Sequence, residues 1–497
     1  MKHYLGVDIG TFETKGVLVA EDGSIVASAS RPHKMLVPQP GYAEHRARED
    51  WWGDFVYVTR KILEESRIDS KTIRAVGASA IGPCMLPVDA DGEPLMNAVL
   101  YGVDTRAAHE IESLNLRIGS DIILERCGNA LTSQAVGPKI LWLKNQRPEI
   151  HARTAKFLNS ATYITWKLTG RYAIDHYSAA NFSPIYDVGR QDWVFDLADD
   201  IARPDQLPEL VWATDIVGEV SAGAAAETGL AAGTPVIAGT IDAAAEALSV
   251  GVLAPGDMML MYGSTIFTIM LSKERINDPR LWYAPWLFKG MHGSAAGLAT
   301  SGTLTHWFRD QFGKELKPET AFADLAAEAG GSPPGANGLV FLPYFSGERT
   351  PIHDPDAKGV VLGLNLTHTR GDIYRAMLEG IACGTNHIID TYREIAHTPA
   401  RIFGVGGGTR NAVWAQSTAD VSGLSQLLRK KMIGASYGDA FLAALAVGDA
   451  KAADIERWNP VERTIEPNPE NEAVYERQYR IFRSLYDRNQ DLMADLS

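Results

Sequence analysis

Residues 4–20 read YLGVDIGTFETKGVLVA and set the pattern for the fold. An apolar run over residues 4–7 stops at Asp8, a glycine-containing turn follows, and a second apolar run covers residues 16–20. Two short apolar runs joined by such a turn are typical of a β-hairpin. The segment therefore predicts two antiparallel strands whose tip carries a carboxylate, a glycine and a hydroxyl group.

A second segment repeats this pattern in the other half of the chain. Residues 258–262 are apolar, Gly263-Ser264-Thr265 supplies the turn, and residues 266–271 continue as an apolar run. A unit that recurs within one chain indicates a duplicated architecture. The turn-rich residues 251–257 mark the boundary, so we expect two domains, residues 1–250 and 251–497.

Strand-like and helix-like segments alternate between the two hairpins. This alternation predicts α/β layers around a mainly parallel sheet. The clearest segments are strands over residues 73–79 and 236–238 and helices over residues 139–145 and 243–249.

Composition and charge exclude several classes of protein. The chain has 497 residues and a net charge of −14, without a basic block that would bind nucleic acid or an anionic membrane. No apolar run approaches the ~18 residues of a membrane span, and no secretory signal is recognisable. The three widely spaced cysteines favour a reducing cytoplasm over a disulfide framework.

The first hairpin tip has the groups that a phosphate site needs. Gly10 lets the backbone approach a phosphate, Thr11 adds a hydroxyl donor, and Lys15 can return to the same anion from the next strand. Asp8 can hold Mg²⁺, which prefers one or two carboxylates together with phosphate oxygens. A plain turn is the alternative at this tip, but the tip Gly263-Ser264-Thr265 supplies a second candidate donor loop.

A glycine-rich turn follows a later strand. Gly406, Gly407 and Gly408 come after an apolar run and precede Asn411 and a predicted helix over residues 412–422. Bare backbone at a helix N-terminus can accept a phosphate or a flat ligand. A turn without any ligand is the alternative.

Asp242 is the candidate catalytic carboxylate. Residues 236–241 predict a buried strand that ends on Asp242, and a helix follows immediately. An N-cap is the alternative role, and both roles favour the ionised carboxylate. An ionised aspartate can take the proton of a sugar hydroxyl as that oxygen attacks the γ-phosphate.

Four longer stretches resemble the FGGY carbohydrate kinases, and the resemblance runs over nearly the full length. Residues 359–380 (GVVLGLNLTHTRGDIYRAMLEG) fit the second family signature position by position. The other stretches are residues 139–145, which fit the core of the first signature, residues 346–351 and residues 406–420. The resemblance implies a two-domain α/β fold of the actin-like ATPase type, also called ribonuclease H-like, with a duplicated core.

The resemblance also implies ATP and Mg²⁺ as cofactors, a sugar-binding first domain and a nucleotide-binding second domain. Asp242 matches the base and Asp8 the metal-side carboxylate. The implied nucleotide and phosphate positions are Thr11, Lys15, Ser264, Gly302, His306, Gly407 and Asn411, beside which lie Gly10, Gly263, Thr265 and Gly408.

The sugar side departs from the best-known relatives. Gly82-Pro83 stands where xylulose kinases typically carry Met-His and glycerol kinases Arg-Glu. Asp104 and Arg106 lie in the next contact loop, where they can bind hydroxyl groups or pair with each other. Together with Gly82 and Asp242 they form the predicted substrate side, which favours a pentulose of the xylulose or ribulose type.

Other functions stay open at this point. The substrate can be another polyol or ketose, such as a tetritol or a hexulose. A catalytically idle sensor would be expected to lack Asp242, and an ATPase that acts on proteins would be expected to lack the second signature. We expect a small-molecule sugar or polyol partner, no nucleic acid and no membrane, with a homodimer as one open arrangement.

Overall fold

The computed structural model describes residues 1–496, which divide into two compact units. Unit 1 contains residues 1–253, 272–293 and 433–460. Unit 2 contains residues 254–271, 294–432 and 461–496. Each unit is therefore assembled from three segments that are distant in sequence. The sequence-based expectation instead divided the chain at one boundary, into residues 1–250 and 251–497. The division of roles between those domains stays a prediction.

Unit 1 is built on a seven-stranded mixed sheet. Its strands are β1 (His3–Ile9), β2 (Glu13–Ala20), β3 (Ile25–Pro32), β4 (Ile73–Ala80), β5 (Ile216–Glu219), β6 (Pro235–Ile237) and β7 (Thr240–Ile241). The order is β5-β6-β4-β1-β2-β3, and β7 also pairs with β4. Strands β1 and β2 form the predicted antiparallel hairpin, whereas β1, β6 and β7 each run parallel to β4.

Unit 2 carries six strands of a second sheet in the order β10-β9-β8-β11-β12-β13. They are β8 (Asp257–Tyr262), β9 (Ile266–Ser272), β10 (His292–Leu298), β11 (Arg401–Val405), β12 (Gln426–Arg429) and β13 (Val461–Ile465). Strands β8 and β9 form the second predicted hairpin, β11 runs parallel to β8, β12 runs parallel to β11, and β13 is antiparallel. In unit 1 the neighbouring strands β2-β1-β4-β6-β5 repeat the pairing directions of β9-β8-β11-β12-β13, which are antiparallel, parallel, parallel and antiparallel. This repetition confirms the duplicated core.

Helices cover the sheets in both units. Those of unit 1 are Asp54–Ser66, Ala108–Ile118, Ser120–Cys127, Val136–Gln146, Pro148–Arg153, Ser160–Thr169, His176–Ala179, Ala222–Thr228, Asp242–Ser249, Ala435–Ala446 and Ile455–Trp458. Those of unit 2 are Gly302–Phe312, Ala321–Gly331, Arg370–Glu394, Ala412–Ser422 and Glu472–Ala494. Among residues 1–496, no helix combines the length and the hydropathy needed to cross a membrane.

Short strands complete the chain. Five ribbons pair Glu44–His45 with Ala98–Val99, Leu86–Val88 with Lys156–Leu158, Ala173–Asp175 with Glu209–Val211, Tyr186–Asp187 with Asp192–Trp193, and Val340–Leu342 with Val360–Leu362. One further strand covers Trp282–Pro285.

The helix Ala435–Ala446 packs unusually close to the first sheet. A Cβ atom at Gly6 on β1 would lie 1.9 Å from the carbonyl oxygen of Ser436, so only glycine fits there. On β4, a Cβ atom at Gly77 would lie 2.5 Å from the carbonyl oxygen of Asp439. Two glycines on neighbouring strands therefore bring Asp439 of this helix directly against the sheet.

The strand predicted before Asp242 is interrupted. Strand β6 ends at Ile237, and β7 begins only at Thr240. Between them Gly239 has a φ of 71°, and a Cβ atom there would lie 1.9 Å from the carbonyl oxygen of Ala78. This kink lets the chain pair with β4 a second time, so that the helix Asp242–Ser249 starts at the end of β4.

Candidate active site

Three strands of unit 1 deliver their polar residues to one edge of the first sheet. Asp8 lies opposite Ser79 in the pairing of β1 with β4, and Thr240 lies opposite Ser79 in the pairing of β7 with β4. Because β1, β4 and β7 run parallel, their carboxyl ends meet at the same edge. Asp8, Ser79 and Asp242 are thereby grouped, as ligand sites at the carboxyl ends of parallel strands commonly are.

Asp242 is the first residue of its helix. The alternative role as N-cap is wrong, because Ile241 occupies the N-cap position and no side chain caps this helix. The Asp242 carboxylate accepts a hydrogen bond of 2.7 Å from the amide of Ala243, and the residue as a whole is half-buried. Burial raises the pKa of Asp242 to about 7, against the opposing effect of that hydrogen bond. A carboxyl group with this pKa is suited to exchange protons near neutral pH.

Asp8 is surrounded by negative charge. Burial is the largest cause of a pKa well above the usual aspartate range, followed by the carboxylates of Asp242, Asp439 and Glu246, while Lys15 opposes the shift. The Oγ atom of Ser79 is 3.5 Å from the Asp8 carboxylate. A cation near Asp8 would therefore be favoured, because it would compensate a concentration of charge that the protein leaves largely unbalanced.

Sequence reasoning missed two carboxylates of this group. Glu246 lies one helical turn after Asp242, and burial together with the charge of Asp242 raises its pKa to about 7. Asp439 is fully buried and accepts a hydrogen bond of 2.7 Å from Ser79 Oγ, while its Oδ1 atom has no partner. The spacing of four residues from Asp242 could have indicated Glu246. A single acidic residue in the otherwise apolar segment 435–446 was the available signal for Asp439.

Tyr177 is a further residue that the sequence did not single out. Burial, followed by the charges of Asp175 and Asp242, raises the pKa of its hydroxyl group. Asp175 is buried beside it and accepts a hydrogen bond of 2.8 Å from Thr240.

The first hairpin tip is a tight turn. The amide of Gly10 donates to the carbonyl of Glu13 over 3.0 Å, which closes residues 10–13. The Thr11 hydroxyl lies 3.4 Å from the Tyr101 hydroxyl. Lys15 is 51% exposed and pairs with Glu13 at 3.2 Å, an exposed ion pair of small energetic value. The Lys15 ammonium group can therefore exchange this partner for an anion.

On the predicted sugar side, Gly82 follows the end of β4. A Cβ atom at Gly82 would lie 2.7 Å from the side chain of Ile241, the residue before Asp242. The structure thus brings Gly82 close to the helix that carries Asp242.

Asp104 and Arg106 pair with each other. Arg106 Nε donates to Asp104 Oδ1 over 2.9 Å, and Arg106 Nη2 donates to Glu44 over 2.8 Å. The guanidinium group is 1% exposed and lies 3.9 Å from the ring centre of Tyr42 and 4.9 Å from that of Trp142. Both side chains are thus engaged within the protein, and the expected contact of either with substrate stays a prediction.

In unit 2 the second hairpin tip packs on a helix N-terminus. The amide of Gly302 donates to the carbonyl of Gly263 over 3.0 Å, and the amides of Ser301 and Thr303 donate to the carbonyl of Ser264. The structure therefore groups Gly263, Ser264, Thr265 and Gly302. His306 lies one turn further along this helix, exposed, with its ring 4.9 Å from that of Phe322.

The glycine-rich turn of unit 2 lies next to this tip. Strand β11 pairs with β8 up to Val405, and Gly406 contacts the backbone of Tyr262, which precedes Gly263. Gly407 has open space around the position of a Cβ atom, whereas Gly408 packs against Trp414. The Asn411 side chain accepts a hydrogen bond of 3.2 Å from the amide of Trp414 and so caps the helix Ala412–Ser422.

The donor set fits Mg²⁺ bound mainly through its substrate. Among the described residues no group of three or more His, Cys, Asp or Glu side chains is arranged to hold a metal ion. Magnesium typically keeps several waters and takes one or two carboxylates together with phosphate oxygens. The single carboxylate of the half-buried Asp8 is compatible with that mode of binding.

Comparison with known proteins gives a consistent result. Residues 3–249 match the N-terminal domain, and residues 258–447 the C-terminal domain, of the FGGY family of carbohydrate kinases. The xylulose kinase of Bacillus subtilis (strain 168) is 28% identical over 100% of this chain and 99% of that protein. The gluconokinase of the same organism is 27% identical over 91% of this chain and 89% of that protein.

Solved structures agree with the sequence relatives. The crystal structure of xylulose kinase from Rhodospirillum rubrum matches with a TM-score of 0.93 and 32% identity, over 99% of this chain and 100% of that one. The predicted two-domain α/β fold of the actin-like type is thereby confirmed. With its two matching domains and its edge of carboxylates in unit 1, the chain belongs to the FGGY family of carbohydrate kinases.

Proposed function

We propose that this ATP-dependent carbohydrate kinase phosphorylates a hydroxyl group of a pentulose, with Asp242 as the general base. The observation that carries the catalytic assignment is the position of Asp242. The half-buried residue follows the carboxyl end of β7, and burial raises the pKa of its carboxyl group to about 7. A general base must be ionised at the working pH and must still be basic enough to accept the proton of the sugar hydroxyl group. A carboxyl group with a pKa near 7 meets both requirements.

In the proposed reaction the ionised Asp242 accepts the proton of the attacking sugar hydroxyl. The sugar oxygen forms a bond to the γ-phosphorus of ATP, the bond between that phosphorus and the bridging oxygen breaks, and ADP leaves. We assign Gly82 and Asp242 to the sugar side, with Asp104 and Arg106 contributing from the next loop.

We assign phosphate contacts to each hairpin tip separately, within its own unit. The first contributes Gly10, Thr11 and Lys15, and the second contributes Gly263, Ser264 and Thr265, with Gly302 and His306 on the adjoining helix. Gly407, Gly408 and Asn411 are assigned to the adenosine side, where Gly407 has open space around it. Asp8 would hold Mg²⁺, which when bound neutralises charge on the phosphate oxygens.

The substrate class rests on the relatives. Proteins named xylulose kinase match over essentially the whole chain, and xylulose is a five-carbon ketose. Gly82-Pro83 offers no side-chain hydrogen bond, so we expect the pocket to bind the sugar through fewer polar groups. Its selectivity among different sugars should therefore be weaker. We therefore expect xylulose-like and ribulose-like sugars to be accepted and glycerol to be a poor substrate.

A screen of ADP release tests the proposal. Ketopentoses, ketohexoses, gluconate and polyols of four to six carbons are compared at equal concentration with Mg-ATP. Pentuloses should give the highest kcat/KM. A preference for tetritols or hexuloses would keep the kinase chemistry and replace the substrate, whereas efficient use of glycerol with inert pentuloses would overturn the substrate assignment. Sugar binding without any turnover would favour a sensor.

The cellular setting stays a prediction. The three cysteines, Cys84, Cys127 and Cys383, are all buried and free, which is compatible with the expected cytoplasm. A homodimer and the absence of nucleic-acid partners are proposed on the same footing and are tested by light scattering and by gel-shift assays.

A further inference from the structure

Two buried histidines lie behind the first hairpin tip, Gly10-Thr11-Phe12. His33 follows β3, and its side chain is 4% exposed. His45 ends the short strand Glu44–His45 and is fully buried. The two rings meet edge to face with their centres 4.9 Å apart. Neither residue belongs to the signatures or to the carboxylate group described above.

Each histidine binds one carbonyl group of the tip. His33 Nε2 lies 3.0 Å from the carbonyl oxygen of Gly10, and His45 Nε2 lies 3.1 Å from that of Thr11. A carbonyl oxygen only accepts hydrogen bonds, so each Nε2 atom carries the proton and donates it. Two consecutive peptide groups are thereby held from one side.

The N–H groups of Thr11 and Phe12 lie on the opposite edges of these two peptide groups. In a trans peptide the carbonyl and the following N–H point in opposite directions, so both amides point away from the histidines. No hydrogen bond within residues 1–496 uses either amide. Successive N–H groups that point the same way form an anion-binding concavity.

The two rings differ in the partners of their other nitrogen atoms. His33 Nδ1 lies 2.8 Å from the carboxylate of Asp54, which also pairs with Arg31 at 3.2 Å. His33 therefore bridges the carbonyl group of Gly10 and the carboxylate of Asp54.

The second ring is neutral. His45 Nδ1 accepts a hydrogen bond of 3.1 Å from the indole N–H of Trp51, so this nitrogen carries no proton. Burial lowers the pKa of His45 to about 4, in agreement with a neutral ring.

We propose that His33 and His45 are positioning residues that orient the amides of Thr11 and Phe12 toward a phosphate group of ATP. His33 also links the loop to the buried Asp54 carboxylate. This inference rests on the proposed role of the tip in phosphate binding. It adds two residues that contact only the loop and act on the nucleotide through it.

Matched substitutions separate hydrogen bonding from packing. His45→Gln can keep both contacts, because the amide nitrogen donates to Thr11 and the amide oxygen accepts from Trp51. His45→Leu keeps neither. His33→Gln keeps at most one donor and presents an oxygen to Asp54. Loss of a positioning hydrogen bond should raise KM for ATP roughly tenfold in His45→Leu and His33→Gln. His45→Gln should stay within about twofold of wild type, and KM for the sugar should change by less than about twofold in all three.

Lys15→Ala serves as the control for the tip itself, because Lys15 is assigned to the phosphate directly. If Lys15→Ala raises KM for ATP and the histidine variants do not, the inference is wrong and the proposed phosphate site stands. If none of these variants affects ATP, the proposed phosphate site fails as well. A loss in His45→Gln as large as that in His45→Leu would also overturn the inference. If His45→Leu does not fold, the test is the comparison of KM for ATP between His33→Gln, in which it should rise, and His45→Gln, in which it should not.

Discussion

The pH dependence of turnover follows directly from the environment of Asp242. Burial raises the pKa of this carboxyl group from the usual 3.8 to about 7. Only the ionised form can accept the proton of a sugar hydroxyl. About a tenth of the protein then carries an ionised base at pH 6 and about nine tenths at pH 8. We therefore expect kcat/KM for the sugar to rise about tenfold between these values.

The ionisation of Asp242 that raises turnover with increasing pH should lower the free energy of unfolding over the same change. Between pH 4 and pH 7 the folded protein holds a proton on Asp242 that the unfolded chain has already lost. The stabilisation is complete below pH 4 and is lost as the pH rises through 7, at up to about 1.4 kcal/mol per pH unit. A shift from 3.8 to about 7 corresponds to a total of roughly 4 kcal/mol in the free energy of unfolding.

Asp242→Asn tests both consequences. The amide cannot accept the proton, so kcat should fall by about 10²–10⁴-fold and lose its dependence on pH over this range. The free energy of unfolding in urea should exceed that of wild type at pH 8 and approach it at pH 4. Initial rates of ADP release from pH 5.5 to 8.5, with a coupling system checked at each pH, measure the first effect. The reasoning would be refuted if kcat/KM of the wild type did not change with pH, or if Asp242→Asn retained more than about a third of wild-type turnover.

Four further substitutions test other parts of the structure. Asp8→Ala should weaken Mg-ATP-dependent turnover while sugar binding, measured by calorimetry without nucleotide, stays unchanged. Asp439→Asn should raise the free energy of unfolding at pH 8 by about 1–3 kcal/mol, because it removes a buried carboxylate whose Oδ1 atom has no partner. Arg106→Ala should cost about 3–5 kcal/mol in urea unfolding, because it leaves Asp104 buried and unpaired, and it should raise KM for the sugar more than KM for ATP. Gly239→Ala should cost roughly 2–4 kcal/mol, because the new Cβ atom would collide with backbone at a positive φ.

Local patterns were sufficient to predict the framework of the fold. The hairpins over β1–β2 and β8–β9 were visible because apolar runs flanked short polar tips, and the recurrence of the tip indicated the duplication. The helix over Ala412–Ser422 was predicted with its observed bounds, since glycines precede it and a glycine follows it. These features depend on neighbouring residues, which a sequence displays directly.

Features that depend on distant segments were not predictable in the same way. Segment 433–460 joins unit 1, although it follows most of unit 2 in sequence. That return brings Asp439 to Ser79, a contact across 360 positions. The kink at Gly239 likewise depends on the carbonyl of Ala78, although the isolated glycine in the strand pattern was a local sign of an interruption. For Asp104 and Arg106 the sequence left binding and pairing open, and Arg106 has a second partner in the distant Glu44.

The two copies of the core have diverged in the chemistry of their strand ends. In unit 1 the strand before the hairpin tip carries Asp8, whereas the corresponding position before Gly263 is Met261. Strand β4 carries Ser79 near its end, whereas β11 ends in Val405, and the glycine-rich turn follows. Carboxylates gathered at one strand edge suit proton transfer and metal contact, while glycines and amides at the other suit a phosphate chain and a flat base. The duplication supplied two equivalent loop edges, and the side chains placed on them favour acid–base chemistry in unit 1 and nucleotide binding in unit 2.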